Sequence, residues 1–362
     1  MKYSKDNRIV LTLDVGGTNL VFSAIRANEE IVEPVRLPSE TKNLSICLER
    51  IEEGFKQVNH MVKEKPVAIS FAFPGPADYP NGIIIDPPNL PAFHGGVALG
   101  PWLEKKFNIP VFINNDGNLF ALGEGMNGLL PRINDLLEAK GSQKRFKNLL
   151  GVTIGTGFGG GLFINNEILI GDNSCAGEIW VTRHKGADDT FAEEGVSIRA
   201  VKRIYAKGIG IDISLSPEPR EIYQIAKGEI EGDRAIATKS FLLLGEILGD
   251  AIANAITMFD GLVVVGGGLS GAWSLFLPKV VAELNSKIGT VPRLETKAFN
   301  LEELVEMDKF LLGKEREIKI SGTGETMKYD SLQRIGVGVT KLGTEKAISL
   351  GAYAFALEKL DS

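Results

Sequence analysis

Arg8-Ile9-Val10-Leu11-Thr12-Leu13-Asp14-Val15-Gly16-Gly17-Thr18 runs from an apolar, β-branched segment into a glycine pair with a carboxylate just ahead of it. Arg8–Leu13 predicts an opening strand, and Gly16-Gly17 ends it in a tight turn. Strand-like residues resume over Val21–Ile25 and Ile31–Leu37, so the strand opens into hairpins. Two later apolar strands end the same way, Asn148–Ile154 at Gly155-Thr156-Gly157-Phe158-Gly159-Gly160-Gly161 and Leu262–Val265 at Gly266-Gly267-Gly268. Glycine lets backbone N–H groups close on an anion with no Cβ in the way. One cluster alone reads as a turn that needs positive φ, whereas three, the first with Asp14 beside it, point to a polyphosphate ligand.

Between these turns the pattern alternates strands with helices. Leu44, Leu48, Ile51, Phe55 and Val58 share one face of a helix over Leu44–Val62. Val67–Phe73 is a buried strand ended by Pro74-Gly75-Pro76, and Tyr79–Gly96 is an ordered loop, crowded with Pro, Gly and Asn, of the kind that carries function. A helix over Leu99–Phe107, a short strand Val111–Ile113 and the turn Asn115-Asp116-Gly117 lead into a helix from Asn118 to about Asn127. Arg132–Lys147 reads as a polar surface excursion. Asn165-Asn166 is a turn within the strand-like Leu162–Ile170, so the second glycine cluster joins two strands. Ser197–Lys207, Phe241–Phe259, Trp273–Leu284 and Lys346–Leu360 are helices, and the charged, irregular Arg293–Tyr329 is an insertion. The whole predicts an α/β protein of two comparable halves. The boundaries expected are 1–114 with the C-terminal helix 346–362 for one lobe, and 115–345 for the other.

At 362 residues the chain has room for about two cores, which excludes a lone small binding module. A net charge of −6 with no basic run offers no footprint for nucleic acid or an anionic membrane. Cys47 and Cys175 are too few for a disulfide framework or a four-cysteine metal site and read as reduced thiols. The first ten residues lack the apolar core of a secretory signal, and uninterrupted apolar runs fall far short of the roughly 18 residues of a membrane span, so a cytoplasmic protein is expected. Asn43-Leu44-Ser45 fits the glycosylation pattern by chance.

Two clusters satisfy G-x-G-x-x-G. The one at Gly155, Gly157 and Gly160 is followed by a strand rather than a helix. The one at Gly266, Gly268 and Gly271 lies late in the chain with no ribose-binding acid on a following strand. No G-x-x-x-x-G-K-[ST] run exists, so P-loop nucleotide binding is excluded.

Asp14-Val15-Gly16-Gly17-Thr18, Phe73-Pro74-Gly75-Pro76, Pro88-Asn89-Leu90-Pro91, Asn114-Asn115-Asp116-Gly117-Asn118, the Gly155–Gly161 cluster, Ala176-Gly177-Glu178-Ile179 and Val265-Gly266-Gly267-Gly268 occur in the order seen in the ROK family of repressors, open reading frames and kinases. The set resembles a bacterial ROK sugar kinase over residues 9 to 290 and again at Gly343–Leu357. The resemblance implies an actin-like ATPase (ribonuclease-H-like) two-lobe fold with ATP and sugar in a central cleft that closes on sugar. It implies that Asp14, Gly16, Gly17 and Thr18 form the first phosphate turn, with Asp14 holding Mg²⁺ directly or through water. Gly155, Thr156 and Gly157 would form the second, and Gly266, Gly267 and Gly268 would pass beside the adenosine. Asp116 would be the base that accepts the proton of the sugar's primary hydroxyl, and a helix N-terminus favours its ionised form. Gly75, Asn89, Asn115, Asp116, Glu178 and Glu193 would contact the sugar, amides and carboxylates supplying both hydrogen-bonding senses to a polyol.

The departures are equally specific. Where the family carries a zinc-ligating histidine the chain has Val181, and Arg183–Glu194 holds no cysteine, so His184 stands alone and no structural zinc is expected. Trp180 replaces a residue that is usually glycine, which reshapes the sugar pocket. The reading is an ATP- and Mg²⁺-dependent kinase of a hexose or N-acetylhexosamine, acting on a small sugar without nucleic acid or membrane, with a homodimer left open. The rivals are a sugar-sensing regulator, which would need a DNA-binding segment where only 13 residues precede Asp14, a catalytically silent sugar-binding protein, and a Rossmann-type NAD oxidoreductase.

Overall fold

The computed structural model describes residues 2–15, 19–40, 42–88 and 90–362. In chain order it opens with β1 (Val10–Val15), β2 (Asn19–Arg26), β3 (Glu29–Glu30) and β4 (Val35–Pro38), followed by α1 (Leu44–Met61) and β5 (Ala68–Ala72). Next come α2 (Leu99–Phe107), β6 (Val111–Asn114), α3 (Asp116–Asn127) and α4 (Leu129–Ala139). The middle of the chain supplies β7 (Asn148–Ile154), β8 (Phe158–Ile164), β9 (Glu167–Leu169), α5 (Ile198–Ile209), α6 (Pro219–Lys227) and α7 (Arg234–Phe259). The last third adds β10 (Leu262–Gly266), α8 (Trp273–Leu284), β11 (Lys297–Asn300), α9 (Leu304–Leu312), β12 (Glu315–Lys319), β13 (Thr326–Asp330), β14 (Arg334–Val339) and α10 (Thr344–Asp361).

The chain groups into two compact units. Unit 1 comprises Met1–Gly128, Gly161–Gly177 and Leu342–Ser362, and unit 2 comprises Leu129–Gly160 and Glu178–Lys341. The sequence reading divides the chain after residue 114, whereas the structure keeps α3 in unit 1. The reason is packing against α10. A Cβ on Gly123 would lie 1.9 Å from the Ala347 carbonyl oxygen, and one on Gly351 would lie 1.9 Å from that of Leu119, so only glycine permits this approach of the two helices.

In unit 1 the sheet runs β3-β2-β1-β5-β6, with β4 also on β2. β1 is antiparallel to β2 and parallel to β5, and β5 is parallel to β6. One face of the sheet buries Leu11, Leu13, Phe22 and Phe71 against Ile51, Phe55 and Val58 of α1 and Leu103 of α2. The other face packs Val10, Ile25 and Ala68 on Leu350, Tyr353 and Leu357 of α10. In unit 2 the sheet runs β8-β7-β10-β14-β11, and β7, β10, β14 and β11 are mutually parallel. β8 continues past Gly160 into unit 1, where it pairs antiparallel with β9 across Asn165-Asn166, both at positive φ, 51° and 70°, as a tight hairpin turn requires.

Three expectations are corrected. Arg132–Lys147 is not wholly a surface excursion, because Leu129, Leu130, Ile133 and Leu137 form the buried face of α4. Gly159, Gly160 and Gly161 lie inside β8 rather than in a linker. Arg293–Tyr329 is only in part an insertion, since β11 pairs with β14 in the main sheet and only the β12–β13 ribbon stands apart from it. Among the described residues one helix, α7, is long and apolar enough to cross a membrane by length and composition, which the count of uninterrupted runs overlooks. In the fold α7 is the central helix of unit 2 and buries Phe241, Leu244, Leu248 and Ile252.

Candidate active site

The parallel strands of unit 1 bring the first group of residues together. Asp14 is near the carboxyl end of β1, Gly75 follows β5, and Asn115-Asp116 follows β6, so three neighbouring strands deliver them to one edge of the sheet. Ligands of open α/β sheets bind at that edge. The Asn114 amide oxygen, fully buried, accepts from Asn115 N at 2.8 Å and from Asn118 Nδ2 at 3.1 Å. Asn115 caps α3, its oxygen accepting from Gly117 N at 2.8 Å. Asp116 is therefore the first helical residue, and its own Oδ1 accepts from Gly117 N at 2.9 Å. Its side chain remains open to solvent, yet the surrounding protein strips away enough water to raise its pKa above the ordinary carboxylate value, against the lowering effect of Gly117 N–H. Desolvation thus outweighs the helix N-terminus, which the sequence reading took to set the charge.

Asp14 lines a cavity of about 270 Å³ with Thr12, Ser23, Arg36, Glu345 and Lys346. Burial raises its pKa, the charges of Glu345 and Asp116 raise it further, and Arg36 opposes them. Strand register places Arg36 there, since Asp14 faces Val21 and Val21 faces Arg36. A hard cation held by one carboxylate and substrate phosphates suits this oxygen-rich corner, so the residues fit Mg²⁺. Gly16, Gly17, Thr18 and Asn89 lie outside the described residues.

Unit 2 gathers the second group. Gly155 N–H donates to Gly157 O at 2.9 Å, closing the turn after β7, and Ile198 N–H at the start of α5 donates to Gly155 O at 2.8 Å. Thr156 at its tip is exposed. Glu193 Oε2 accepts from Phe158 N at 3.1 Å, and a Cβ on Gly157 would sit 2.7 Å from that oxygen. After β10, Gly267 takes φ of 86° and a Cβ there would come within 2.3 Å of Ile154 backbone, so the two glycine turns pack backbone on backbone. Gly268 faces open space. Glu178 accepts a short hydrogen bond from Trp180 Nε1, and the Trp180 ring stands edge-on to Phe191.

Sequence reasoning did not single out Arg36 and Glu345, which reach Asp14 from distant segments, or Asn114 as the brace of the Asp116 turn. Arg36 was recoverable from the hairpin register, whereas Glu345 was not. The residues from 181 to 194 do not fit zinc. Val181 stands where the family has a histidine, no cysteine lies between 183 and 194, and His184 faces Gly195 and Ile247, so there is no ligand set; among the described residues no group of three or more His, Cys, Asp or Glu side chains could hold a metal ion.

The family model described as the ROK family matches residues 10–300. The chain belongs to the ROK family. Its architecture is the actin-like ATPase fold of that family's sugar-kinase structures. A crystal structure of glucokinase from Parabacteroides distasonis is 51% identical, with 99% of each chain covered and a TM-score of 0.91. The N-acetyl-D-glucosamine kinase of Aliivibrio fischeri is 30% identical over 296 residues, which span 78% of this chain and 91% of that one. The fold is shared further out with a ROK family glucokinase from Streptomyces griseus in complex with glucose and AMPPNP, 18% identical with a TM-score of 0.61 over 96% of this chain and 98% of that one.

Proposed function

We propose that this ROK protein is an ATP-dependent sugar kinase that transfers the γ-phosphoryl group to the primary hydroxyl of a hexose or N-acetylhexosamine. The observation that carries the reading is Asp116, a carboxylate open to solvent at the first residue of α3, braced by Asn114 and Asn115 and with its pKa raised toward the range useful for a base. It accepts the hydroxyl proton as the sugar oxygen attacks phosphorus. Gly75, Asn89, Asn115, Glu178 and Glu193 hold the sugar by donors and acceptors in fixed directions. The glycine-rich stretches Gly16-Gly17-Thr18 and Gly155–Gly157 would bind the phosphates, and Gly266–Gly268 leaves room for the adenosine. Asp14 would hold Mg²⁺, which when bound neutralises charge on the transferring phosphoryl group.

The likeness to a glucokinase at higher identity than to an N-acetylglucosamine kinase makes glucose the first sugar to assay. A coupled ADP-release assay across hexoses and N-acetylhexosamines tests the proposal. It expects turnover that depends on sugar, ATP and Mg²⁺, and the absence of ADP release with every sugar of the panel would reject it.

A further inference from the structure

Glu178 and Glu193 sit at the two ends of a segment, residues 178–195, that has neither strand nor α-helix to stiffen it, only the short turns Ile179–Val181 and Ala192–Glu194. Cross-links within the segment make it one piece. Ala192 N–H donates to Thr182 O at 2.8 Å, His184 N–H to Thr190 O at 3.0 Å, and Arg183 Nη2 to Asp188 O at 2.9 Å, while Trp180 packs on Phe191 with ring centroids 5.7 Å apart. None of these ties the middle of the segment to the helices beneath it. Lys185 does. Its Nζ lies 2.8 Å from Glu283 Oε1 on α8 and 3.0 Å from Glu246 Oε1 on α7.

An exposed ion pair contributes little, but this one differs in its acceptor. The Glu283 side chain is only 10% exposed, so without Lys185 a carboxylate would be left enclosed with its charge uncompensated. Glu246 also reaches Lys279 at 3.5 Å, so loss of Lys185 falls chiefly on Glu283. Burial works to lower the Lys185 pKa, and the hydrogen bonds to Glu283 and Glu246 outweigh it, so the ammonium stays charged. His184 beside it packs against Gly195 and faces Ile247 across that glycine.

Resting on the reading of Glu178 and Glu193 as sugar ligands, we propose that Lys185 is a positioning residue for the sugar, an ionic clamp that fixes the 178–195 segment on α7 and α8. The clamp is one ammonium held between two carboxylates on two helices.

Lys185→Met and Lys185→Arg in the full chain test this by hydrogen exchange of residues 178–195 and by steady-state kinetics. Lys185→Met is expected to speed exchange in that segment and raise the sugar KM about tenfold, with kcat and the ATP KM within about threefold of the parent. Lys185→Arg is expected to restore most of both, because the guanidinium still reaches the carboxylates. If Lys185→Met does not fold, Glu283→Gln supplies the same measurement from the other side. Unchanged exchange, or faster exchange with an unchanged sugar KM, overturns the clamp. A parent enzyme inactive on all sugars would overturn the kinase reading instead, and sugar affinity by calorimetry would then take the place of KM beside the exchange data in deciding the clamp.

Discussion

The surrounding protein raises the pKa of the Asp116 carboxylate, and that direction has opposite consequences for rate and for stability. A base must be ionised to accept a proton, so kcat/KM should fall as pH drops through its pKa. Because that pKa is raised, the acid limb of the pH–rate profile is expected above the ordinary aspartate value of about 4. Asp116→Asn keeps the shape and loses the base, with an expected fall in kcat on the order of 10²–10⁴ and little change in sugar binding by calorimetry. The stability sign is the reverse. A carboxyl whose folded pKa exceeds its unfolded one binds protons more tightly when folded, so stability falls as pH rises through that interval. At neutral pH the ionised group is a cost, and Asp116→Asn should raise Tm in a calorimetric scan. A profile with its acid limb below pH 4, or a variant with a lowered Tm, would contradict the desolvation account. What made Asp116 legible in the sequence is local chemistry, Asn-Asp-Gly after a short apolar strand and before a helix. Its charge state was not legible, because desolvation by the folded surroundings depends on packing that a local motif does not specify.

Among the elements, α3 and α10 show how closely a helix pair governs the site. Gly123 and Gly351 let backbone touch backbone, and α3 begins with Asp116. Gly351→Ala places a methyl group on the Leu119 carbonyl, and relieving that overlap should cost about 2 kcal/mol or more in urea unfolding. The same variant should lose kcat, because α3 must shift to accommodate it. Elements with a strong local pattern were read correctly to the residue, such as α2 over Leu99–Phe107 and β7 over Asn148–Ile154. α4 was missed because its buried leucines begin one residue after Gly128 and are separated by Arg132, Asp135 and Glu138, which dominate a composition-based reading. α6 was missed too, although Glu218 and Glu221 form a capping box at its start. Elemental analysis of purified protein bears on the 181–194 loop, and less than one tenth of a zinc per chain, roughly, is expected from its ligands. A zinc retained through mild chelation would show that other residues bind it.

Across the molecule, the chain passes between the two units at Gly128, Gly160, Gly177 and Lys341, so unit 1 is assembled from three separate segments. The last of them is bolted to the first. The Tyr353 hydroxyl accepts from Ala27 N at 3.1 Å and donates toward Arg8 O at 3.3 Å, and Arg8 holds Asp361 at 2.6 Å. Tyr353→Phe leaves the half-buried Ala27 N–H without that acceptor and should lower stability by about 1 kcal/mol in denaturant titration. Removal of residues 342–362 uncovers Val10, Ile25 and Ala68 and should leave unit 1 unable to fold, read as loss of soluble protein.

That bolt also sets an order in time. A chain emerging from the ribosome presents β1 to β6 long before α10, so the sheet that carries Asp14 and Asp116 must wait, with one face bare, through the synthesis of the more than two hundred residues that precede its covering helix. Unit 2 has all of its strands and helices available by Lys341 and can complete its core first. Folding during translation therefore runs against the usual N-terminal-first order. The surface left bare on the nascent chain is the α10 side of its first sheet, and Asp116, the base proposed above, is among the last groups to take its place.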